Sequence, residues 1–283
     1  MTRVCVVGSV NVDQFFTVAS LPGAGETILA SSVRTEPGGK GGNQAVAAAR
    51  AGASVQFVGA VGTDPAGAQL RAHLGANGVG LDGLEELSAP SGSAVILVGA
   101  DGDNLIVVAP GANGHLTLSS PAARTAIAKS EVVLIQLEIP LATALAAARE
   151  ARAAGATVIV NASPVSTDPV LADLASLTDV VVVNDTEEPH WIWPTPHRVV
   201  THGARGASYR GPHGSFEVPT PEVEAIDTTG AGDVFAGVLA ADWATGIDRA
   251  LRRACAAGAL ATLVPGAGDC APAEDAIDDA LTR

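Results

Sequence analysis

The sequence predicts an α/β fold, in which helices cover the faces of a mainly parallel sheet. Short runs rich in β-branched residues alternate along the chain with alanine-rich stretches of helical length, an order typical of parallel strands linked by helices. Hydrophobic residues make up 47 % of the 283 residues but aromatic residues only 3 %, so the core must be built from Ala, Val and Leu. Such a core suits helices packed on a valine-rich sheet.

Six strands and four long helices can be placed from these patterns. The predicted strands are residues 4–8, 55–59, 132–136, 157–161, 180–184 and 198–201. The predicted helices are residues 42–51, 67–76, 140–154 and 231–244. A proline at the start of the third helix, Pro140, and a glycine just past its end, Gly155, are typical helix boundaries.

Two segments break this alternation and predict a second, smaller sheet. Residues of about 11–35 and 92–109 alternate apolar with polar residues and contain no helix between their paired runs, as antiparallel hairpins do. In the second segment the turn is predicted at Gly102 and Asp103. We expect a small sheet that projects from the main layer and covers a site.

The charge of the chain argues against two classes of partner. Asp and Glu number 30 and Lys and Arg number 16, which gives a net charge of −14, whereas proteins that bind nucleic acid need a basic face. The same deficit argues against an anionic membrane surface. No apolar run approaches the roughly 20 residues of a membrane span. We therefore expect neither nucleic acid nor membrane as a partner.

The cysteines and the first residues predict a cytoplasmic protein. Cys5, Cys255 and Cys270 are the three cysteines, and they show no CxxC spacing. Neither a disulfide framework nor a structural zinc site is therefore expected. The apolar run at residues 4–7 is too short for a signal peptide, and a reducing cytosol is the simplest setting.

Searches for common motifs of nucleotide sites and hydrolases are negative. Gly39 and Lys40 are followed by Gly41, so the P-loop pattern GxxxxGK[ST] is absent. No GxGxxG follows the first predicted strand, and neither GxSxG nor HExxH occurs. A phosphate group bound by this chain must be held by another kind of segment.

The first candidate for such a segment is residues 38–44, which precede a predicted helix. Four glycines surround Lys40, one of only two lysines in the chain, and Asn43 follows them. Glycines let the backbone approach a ligand closely, and the start of a helix offers free N–H groups. A structural turn would account for two glycines but less well for four together with this lysine.

The second candidate is residues 227–237, where small residues again precede a predicted helix. The N–H groups of Gly230, Ala231 and Gly232 would converge on an anion. Asp233 falls in the first helical turn, where it could equally be an ordinary capping acid. A carboxylate beside an anion site supplies a base and charge stabilisation in one place, which favours the catalytic interpretation.

Together these two segments resemble the signature segments of the ribokinase-like carbohydrate kinases, also called the PfkB family, and they occur in the expected order. Asn11 and Asp13, residues 136–138 and residues 161–164 extend the resemblance over most of the chain. The resemblance implies a single domain over residues 1–283 with three layers, αβα, and a doubly wound sheet. Residues 11–35 and 92–109 would form its lid.

The resemblance also implies an activity, namely transfer of the γ-phosphate of ATP to a sugar with the help of Mg²⁺ and K⁺. Within the family, the closest resemblance, together with the complete polar set for a sugar, implies the primary 5-hydroxyl of D-ribose as acceptor, with ribose 5-phosphate and ADP as products. Fructose or another sugar is the alternative, and adenosine ranks lower because only Phe15 and Phe16 could stack on a base. A sugar-binding regulator without catalysis stays open, although Asp233 argues against it.

The family's site residues can be carried over position by position. Residues similar to those that hold the sugar hydroxyls are Asn11, Asp13, Gly39, Lys40, Asn43, Glu138 and Asp233. Asp233 also matches the general base, and Gly230, Ala231 and Gly232 match the anion hole. The residues matched on the ATP side are Asn184, Thr201, Gly203 and Gly232, with residues 254–258 near the adenine.

The implied metal sites lie beside these residues. Mg²⁺ is expected near Asn184 and Glu187. The monovalent cation is expected near Asp227, Thr229, Val264, Gly266, Gly268 and Cys270. Cys270 is a departure, because the family tends to have serine there and a thiol is a poor ligand for a hard alkali cation.

Two further features follow from the comparison with the family pattern. Residues 184–201 contain three prolines where relatives carry more helix, and His202 stands where a leucine-like residue is expected. The edge of the nucleotide side is therefore predicted to be trimmed. The family's lid commonly pairs with a second subunit, so a homodimer through the small sheet is expected.

Overall fold

The centre of the computed structural model, which describes residues 1–101, 103–212 and 214–282, is a sheet of nine strands. Its strands are β1 (Arg3–Val7), β4 (Ser54–Gly62), β5 (Gly80–Leu87), β8 (Val132–Gln136), β9 (Thr157–Asn161), β10 (Val180–Asn184), β11 (His197–Thr201), β12 (Ala207–Gly211) and β13 (Gly214–Val218). Their order is β13-β12-β11-β10-β9-β8-β1-β4-β5. The seven strands from β11 to β5 in this order are parallel, and β12 and β13 add an antiparallel edge.

Helices cover both faces of this sheet. They are α1 (Lys40–Arg50), α2 (Pro65–Ala76), α3 (Pro121–Ala128), α4 (Leu141–Ala153), α5 (Val170–Leu177), α6 (Ala231–Asp242), α7 (Ile247–Ala261) and α8 (Glu274–Leu281). Buried side chains of α1, α2, α6, α7 and α8 form one core cluster, and those of α3, α4 and α5 form the other. The predicted three-layer αβα architecture is confirmed.

The second sheet contains β2 (Asn11–Thr17), β3 (Ser32–Gly38), β6 (Gly92–Val98) and β7 (Asn104–Ala109), in the order β3-β2-β6-β7. Both hairpins pair internally as antiparallel strands. The two hairpins are joined, however, by a parallel pairing of β2 with β6, so this small sheet is mixed. Strand β3 extends to Gly38, beyond the predicted boundary at residue 35, and Gly102 of the predicted turn lies outside the described residues.

The strand order places a binding cleft where the chain changes direction. Strand β1 lies between β4 and β8, because the chain first builds the sheet outwards on one side and then on the other. Crevices at the carboxyl ends of such strands are where open α/β sheets bind ligands. Among the helices of the described residues, none has the length and apolarity needed to cross a membrane.

Helices α1 and α6 cross at a very short distance, and this crossing brings the two candidate segments together. At the crossing point, Gly237 packs against the backbone of α1: an added Cβ there would lie against the carbonyl oxygen of Gln44 and 2.8 Å from Cβ of Ala47. Alanines fill the surrounding contact. Only a residue without a side chain fits between the helices at this point.

We expect Gly237→Ala to destabilise the fold by about 1–3 kcal/mol, because overpacking outweighs the gain in helix propensity. The matched control is Gly75→Ala in α2, where an added Cβ meets its first neighbour, Leu81 Cδ1, only at 3.8 Å. That variant should be slightly more stable, by roughly 0.5–1 kcal/mol. Urea unfolding of both variants measures the difference, and equal stabilities would contradict the close crossing.

Candidate active site

The loops after β1 and β8 form the first wall of the cleft. Ser9 follows β1, and its hydroxyl donates a 2.6 Å hydrogen bond to Oε2 of Glu138, which follows β8. The same carboxylate oxygen accepts a bond from the backbone N–H of Lys40 at 3.2 Å. The N–H of Gly42 donates to the Ser9 carbonyl at 2.8 Å. These bonds hold the start of α1 against the ends of both central strands.

Glycine is required where α1 begins. Gly39 has a φ of 85°, in the region that L side chains rarely adopt. A Cβ there would also lie 2.7 Å from the backbone nitrogen of Asn11, and a Cβ on Gly38 would collide with the carboxylate of Asp13. The glycines of residues 38–44 therefore let the backbone pack directly against Asn11 and Asp13 of β2.

Asn11 is positioned by a residue that sequence reasoning missed. Asn113 donates from Nδ2 to Oδ1 of Asn11 at 2.8 Å and to the carbonyl of Val10 at 3.0 Å, and its Oδ1 accepts from the N–H of Val10. It lies in the 3₁₀ helix Gly111–His115 and is buried. No motif surrounds it in the sequence, so only its burial in the fold identifies it.

Asp233 is held by two amides from α1. Its Oδ2 accepts a bond from Asn43 Nδ2 and its Oδ1 accepts one from Gln44 Nε2, both at 3.0 Å. Gln44 Nε2 also donates to Oδ1 of Asn161 at the end of β9. Asp233 is buried, and these bonds join residues about 190 positions apart into one arrangement. Gln44 and Asn161 belong to the segments that carry the resemblance, but the sequence assigned them no role.

Negative charge concentrates around Asp13 and Lys40. Burial, and then the charges of Glu138, Asp233 and Glu36, raise the pKa of Asp13 to about 7. Burial lowers the pKa of Lys40, but nearby carboxylates outweigh it, so that this pKa is raised. The carboxylates responsible are Asp233, Glu138 and Glu187. Lys40 is therefore a firmly charged ammonium among acidic groups, and Asp13 is poised to change its protonation near neutral pH.

The turn before α6 has the backbone form of an anion site. Gly230 has a φ of 78°, and a Cβ on it would lie 2.9 Å from Cα of Ala267. A Cβ on Gly232 would meet nothing within 4 Å, so space is open above the first turn of the helix. The structure thus places Gly230, Ala231, Gly232 and Asp233 at the start of one helix, as the sequence predicts.

Two adjoining cavities run along this turn. The first contains Lys40, Asn161, Glu187, Gly230 and Asp233 in its wall. The second measures about 760 Å³ and includes Gly203, Phe235, Cys255, Gly258 and Thr262. Asn184, Thr201 and Gly232 line both. All four residues expected on the ATP side therefore lie in one cavity of the size that small-molecule sites have, beside Asp233.

Asn184 and Glu187 hold each other in a tight turn. Oδ1 of Asn184 accepts bonds from the N–H groups of Thr186 and Glu187, at 2.9 and 2.8 Å, and Oε2 of Glu187 accepts one from the N–H of Asn184 at 3.0 Å. Glu187 is buried, and its carboxylate shares the first cavity with Lys40.

The predicted trimmed edge follows this turn. Only the short 3₁₀ helix Glu188–His190 lies between β10 and β11. His202 contacts Asp185 at the rim of the second cavity through Nδ1, at 2.6 Å, and Ser208 through Nε2, at 2.9 Å. The imidazole thus ties β12 to the rim of the second cavity, which a leucine could not do.

The loop expected around a monovalent cation is organised by Asp227. Its two oxygens accept bonds from the N–H groups of Thr229 and Gly266, both at 2.9 Å. Burial raises the pKa of Asp227, but these hydrogen bonds outweigh it and leave the pKa lowered. The thiol of Cys270 points at the carbonyls of Ala267 and Thr229, at 3.3 and 3.9 Å. Burial raises its pKa to about 11, so the sulfur carries a proton at neutral pH.

Comparisons with known proteins agree with this architecture. The chain matches the pfkB family of carbohydrate kinases over residues 1–274. It is 35 % identical to a ribokinase of Bacillus subtilis, with both sequences covered completely, and 33 % identical to one of Haemophilus influenzae, with 94 % of each covered.

Solved structures give the same result. A ribokinase of Thermotoga maritima is similar with a TM-score of 0.91 and 28 % identity, each chain covered completely. A ribokinase of Arabidopsis thaliana, complexed with ribose and ATP, is similar with a TM-score of 0.92 and 29 % identity, and 100 % of this chain and 99 % of that one are covered. With the family match over residues 1–274 and relatives of this identity, the chain belongs to the PfkB family of carbohydrate kinases.

Proposed function

We propose that this protein transfers the γ-phosphate of ATP to the primary 5-hydroxyl of D-ribose, forming ribose 5-phosphate and ADP. The observation that carries the proposal is the position of Asp233: it lines the first cavity together with Lys40, its charge acts on Asp13, and this cavity adjoins the one of about 760 Å³. The relatives named ribokinase, one of them complexed with ribose and ATP, favour ribose as the acceptor.

In this proposal Asp233 is the general base. Each carboxylate oxygen has two lone pairs, so an oxygen that already accepts an amide bond from Asn43 or Gln44 can still accept the proton of a sugar hydroxyl. The two amides fix the carboxylate in one orientation. Because phosphoryl transfer needs mainly alignment and charge neutralisation, a fixed base beside the helix start is a suitable arrangement.

The remaining groups have separate tasks in the proposed reaction. Asn11, Asp13, Asn43 and Glu138 pair with the sugar hydroxyls, with Gly39 letting the backbone approach the ring. Lys40 and the N–H groups of Gly230, Ala231 and Gly232 stabilise negative charge on the transferred phosphate. Asn184, Thr201, Gly203 and Gly232 hold ATP.

A magnesium ion fits the nucleotide side. Mg²⁺ takes oxygen ligands, often one or two carboxylates with water and phosphate oxygens. Glu187 supplies a buried carboxylate in the wall of the first cavity, and Asn184 lines the same cavity. When bound there, the ion would neutralise charge on the phosphates of ATP.

The residues fit a monovalent cation less well. Asp227 and the carbonyl of Thr229 are hard oxygen ligands of the kind K⁺ prefers, and Val264, Gly266 and Gly268 belong to the same loop. Cys270, however, presents a protonated sulfur that is hydrogen-bonded to two of the carbonyls around it. A soft thiol is a poor ligand for an alkali cation, so we propose that K⁺ stimulates this enzyme only weakly.

We also propose a homodimer in the cytoplasm that pairs through the small sheet. Strand β7 is an exposed edge whose Ile106 and Val107 are 55 % and 58 % accessible. Long apolar edge strands are normally covered, and a second copy would cover this one. The buried, unpaired state of Cys5, Cys255 and Cys270 suits a reducing compartment.

The substrate is tested by the rate of ADP release with Mg-ATP and ribose, fructose or adenosine. We expect ribose to be preferred and Asp233→Asn to lower kcat by about 10²-fold or more, the order expected when a general base is lost. Ribose affinity measured by calorimetry is the control and should persist in the variant. Preference for another sugar would contradict ribose as the substrate. Sugar binding without turnover in the parent would favour a regulator without catalysis.

The cation is tested by the ratio of rates in potassium and in sodium. We expect a ratio near one for the parent and a clearly higher ratio for Cys270→Ser, because a hydroxyl oxygen is a harder ligand than a thiol. The control is Cys255→Ser, a buried thiol on α7 that bonds the carbonyl of Val218 instead. A parent that already depends strongly on potassium would show that Cys270 does not impair the site.

The dimer is tested by gel filtration at micromolar concentration. The parent should elute near twice its 28.1 kDa, and Ile106→Glu should elute as a monomer because a charge on the edge strand opposes pairing. Ile192→Glu is the control, since Ile192 is an exposed apolar residue outside the small sheet. A monomeric parent would exclude the proposed pairing.

A further inference from the structure

Strand β3 of the small sheet carries a second carboxylate next to the sugar side. In the antiparallel pairing of β2 with β3, Asp13 lies directly opposite Glu36, and Phe15 lies directly opposite Arg34. Side chains directly opposite each other share a face of the sheet, and like charges in such a pair are destabilising. Two carboxylates in directly opposite positions therefore destabilise the small sheet. The requirements of strand formation do not explain why both residues are acidic.

Glu36 is held in place from both sides. Its Oε1 accepts a 2.7 Å bond from Nε of Arg34, whose guanidinium lies 4.0 Å from the centre of the Phe15 ring. Its Oε2 lies directly against Gly266, so a side chain at that position would have to displace the Glu36 carboxylate. The backbone of Pro37 packs on Gly268, where a Cβ would lie 2.9 Å from the Pro37 carbonyl carbon. Two glycines of the loop after α7 thus pack directly on β3.

The same loop holds the turn before α6. The N–H of Gly266 donates to Asp227, whose other oxygen accepts from Thr229 just ahead of the anion turn. Gly230 of that turn packs on Ala267, since a Cβ added to Gly230 would lie only 2.9 Å from Cα of Ala267. A continuous series of contacts therefore connects β3, through the loop after α7, with the turn before α6 whose backbone would hold the transferred phosphate.

We propose that Glu36 is a positioning residue that couples the proposed sugar site at Asp13 to residues 230–233, the turn before α6 that would bind the transferred phosphate (the anion turn). A sugar bound at Asp13 holds β2 and β3 in place, and Glu36 transmits that position to Gly266 and so to Asp227 and Thr229. Binding of the sugar then tightens binding of the nucleotide, and the reverse holds by linkage. The inference rests on the proposed function, because it needs a sugar on one side and a nucleotide on the other.

An unsatisfied oxygen of Asp13 supports this role. Among the described residues, Oδ1 of Asp13 is buried without a hydrogen-bond partner, and such an atom costs free energy until a donor arrives. A sugar hydroxyl is a suitable donor. Its arrival would fix the position of Asp13, which lies directly opposite Glu36. Sugar binding would thereby hold β3 in place at the residue that touches the loop.

The first test measures coupling as a ratio of nucleotide affinities. Calorimetry with a non-hydrolysable ATP analogue, with and without saturating sugar, gives the factor by which the sugar tightens nucleotide binding. We expect at least about 5-fold in the parent, the lower end of typical coupling, and less than about twofold in Glu36→Ala. Glu36→Gln keeps the contacts with Arg34 and Gly266 and should retain the coupling. Asp103→Ala, an exposed carboxylate beside the same sheet, is the control and should equal the parent.

The second test separates Glu36 from a purely structural residue through pH. The groups facing Asp13 are Glu36 on β3, Glu138 after β8 and Asp233 on α6, with Lys40 on α1 as the cation among them. The ionised carboxylate accepts sugar hydroxyls, so affinity for the sugar should rise with pH through about 7. Glu36→Gln removes one negative charge and should move this midpoint to lower pH.

The outcomes distinguish the two proposals. Both tests use the sugar that the parent turns over fastest, so a substrate other than ribose would contradict the proposed function and leave the coupling measurable. A parent that binds no sugar overturns both. If the parent is an active kinase and Glu36→Ala keeps the coupling factor of the parent, or Glu36→Gln leaves the pH midpoint in place, the role of Glu36 is overturned while the proposed function stands.

Discussion

The structure of the cleft depends on the pair of hydrogen bonds that Asn43 and Gln44 donate to Asp233. They join α1, which begins at Lys40, to α6, which begins at Ala231. The bonds are possible only because the helices cross closely at Gly237. A third amide contact, from Gln44 to Asn161, ties the pair to the edge of the central sheet. The orientation of the Asp233 carboxylate is therefore set by contacts from both halves of the cleft.

Several carboxylates of the cleft also surround a single lysine, Lys40. Burying several carboxylates is unfavourable unless each is paired or hydrogen-bonded, and here Ser9, Lys40 and the amides of α1 supply most of those partners. Asp13 is the carboxylate that stays least compensated: burial and the charges of its neighbours raise its pKa to about 7. Such a pocket suits a neutral polyol, whose hydroxyls can donate to carboxylates, and disfavours a substrate that already carries a phosphate.

Sequence reasoning predicted those parts of the fold and site that local patterns encode. The β-branched runs located six central strands, and the glycine-rich segments located the turns around Gly39 and Gly230, because only glycine tolerates their backbone conformation. Strand β5 was missed because it is an edge strand with acidic residues, so it lacks the apolar run of a buried one. Asn113 was missed because its role arises from contacts with Val10 and Asn11 that lie more than 100 residues away.

The burial of the three thiols has a consequence for labelling. Cys5, Cys255 and Cys270 are all buried, and burial raises the pKa of each, to about 12 for Cys255 and about 11 for Cys270. The thiolate is the reactive form, so a folded molecule presents almost none to an alkylating reagent at neutral pH. Modification therefore requires local or global unfolding that exposes the thiol. Cys5 lies in the central strand β1, whereas Cys270 lies in the loop after α7. The labelling rates of these two thiols would therefore report unfolding of different extent.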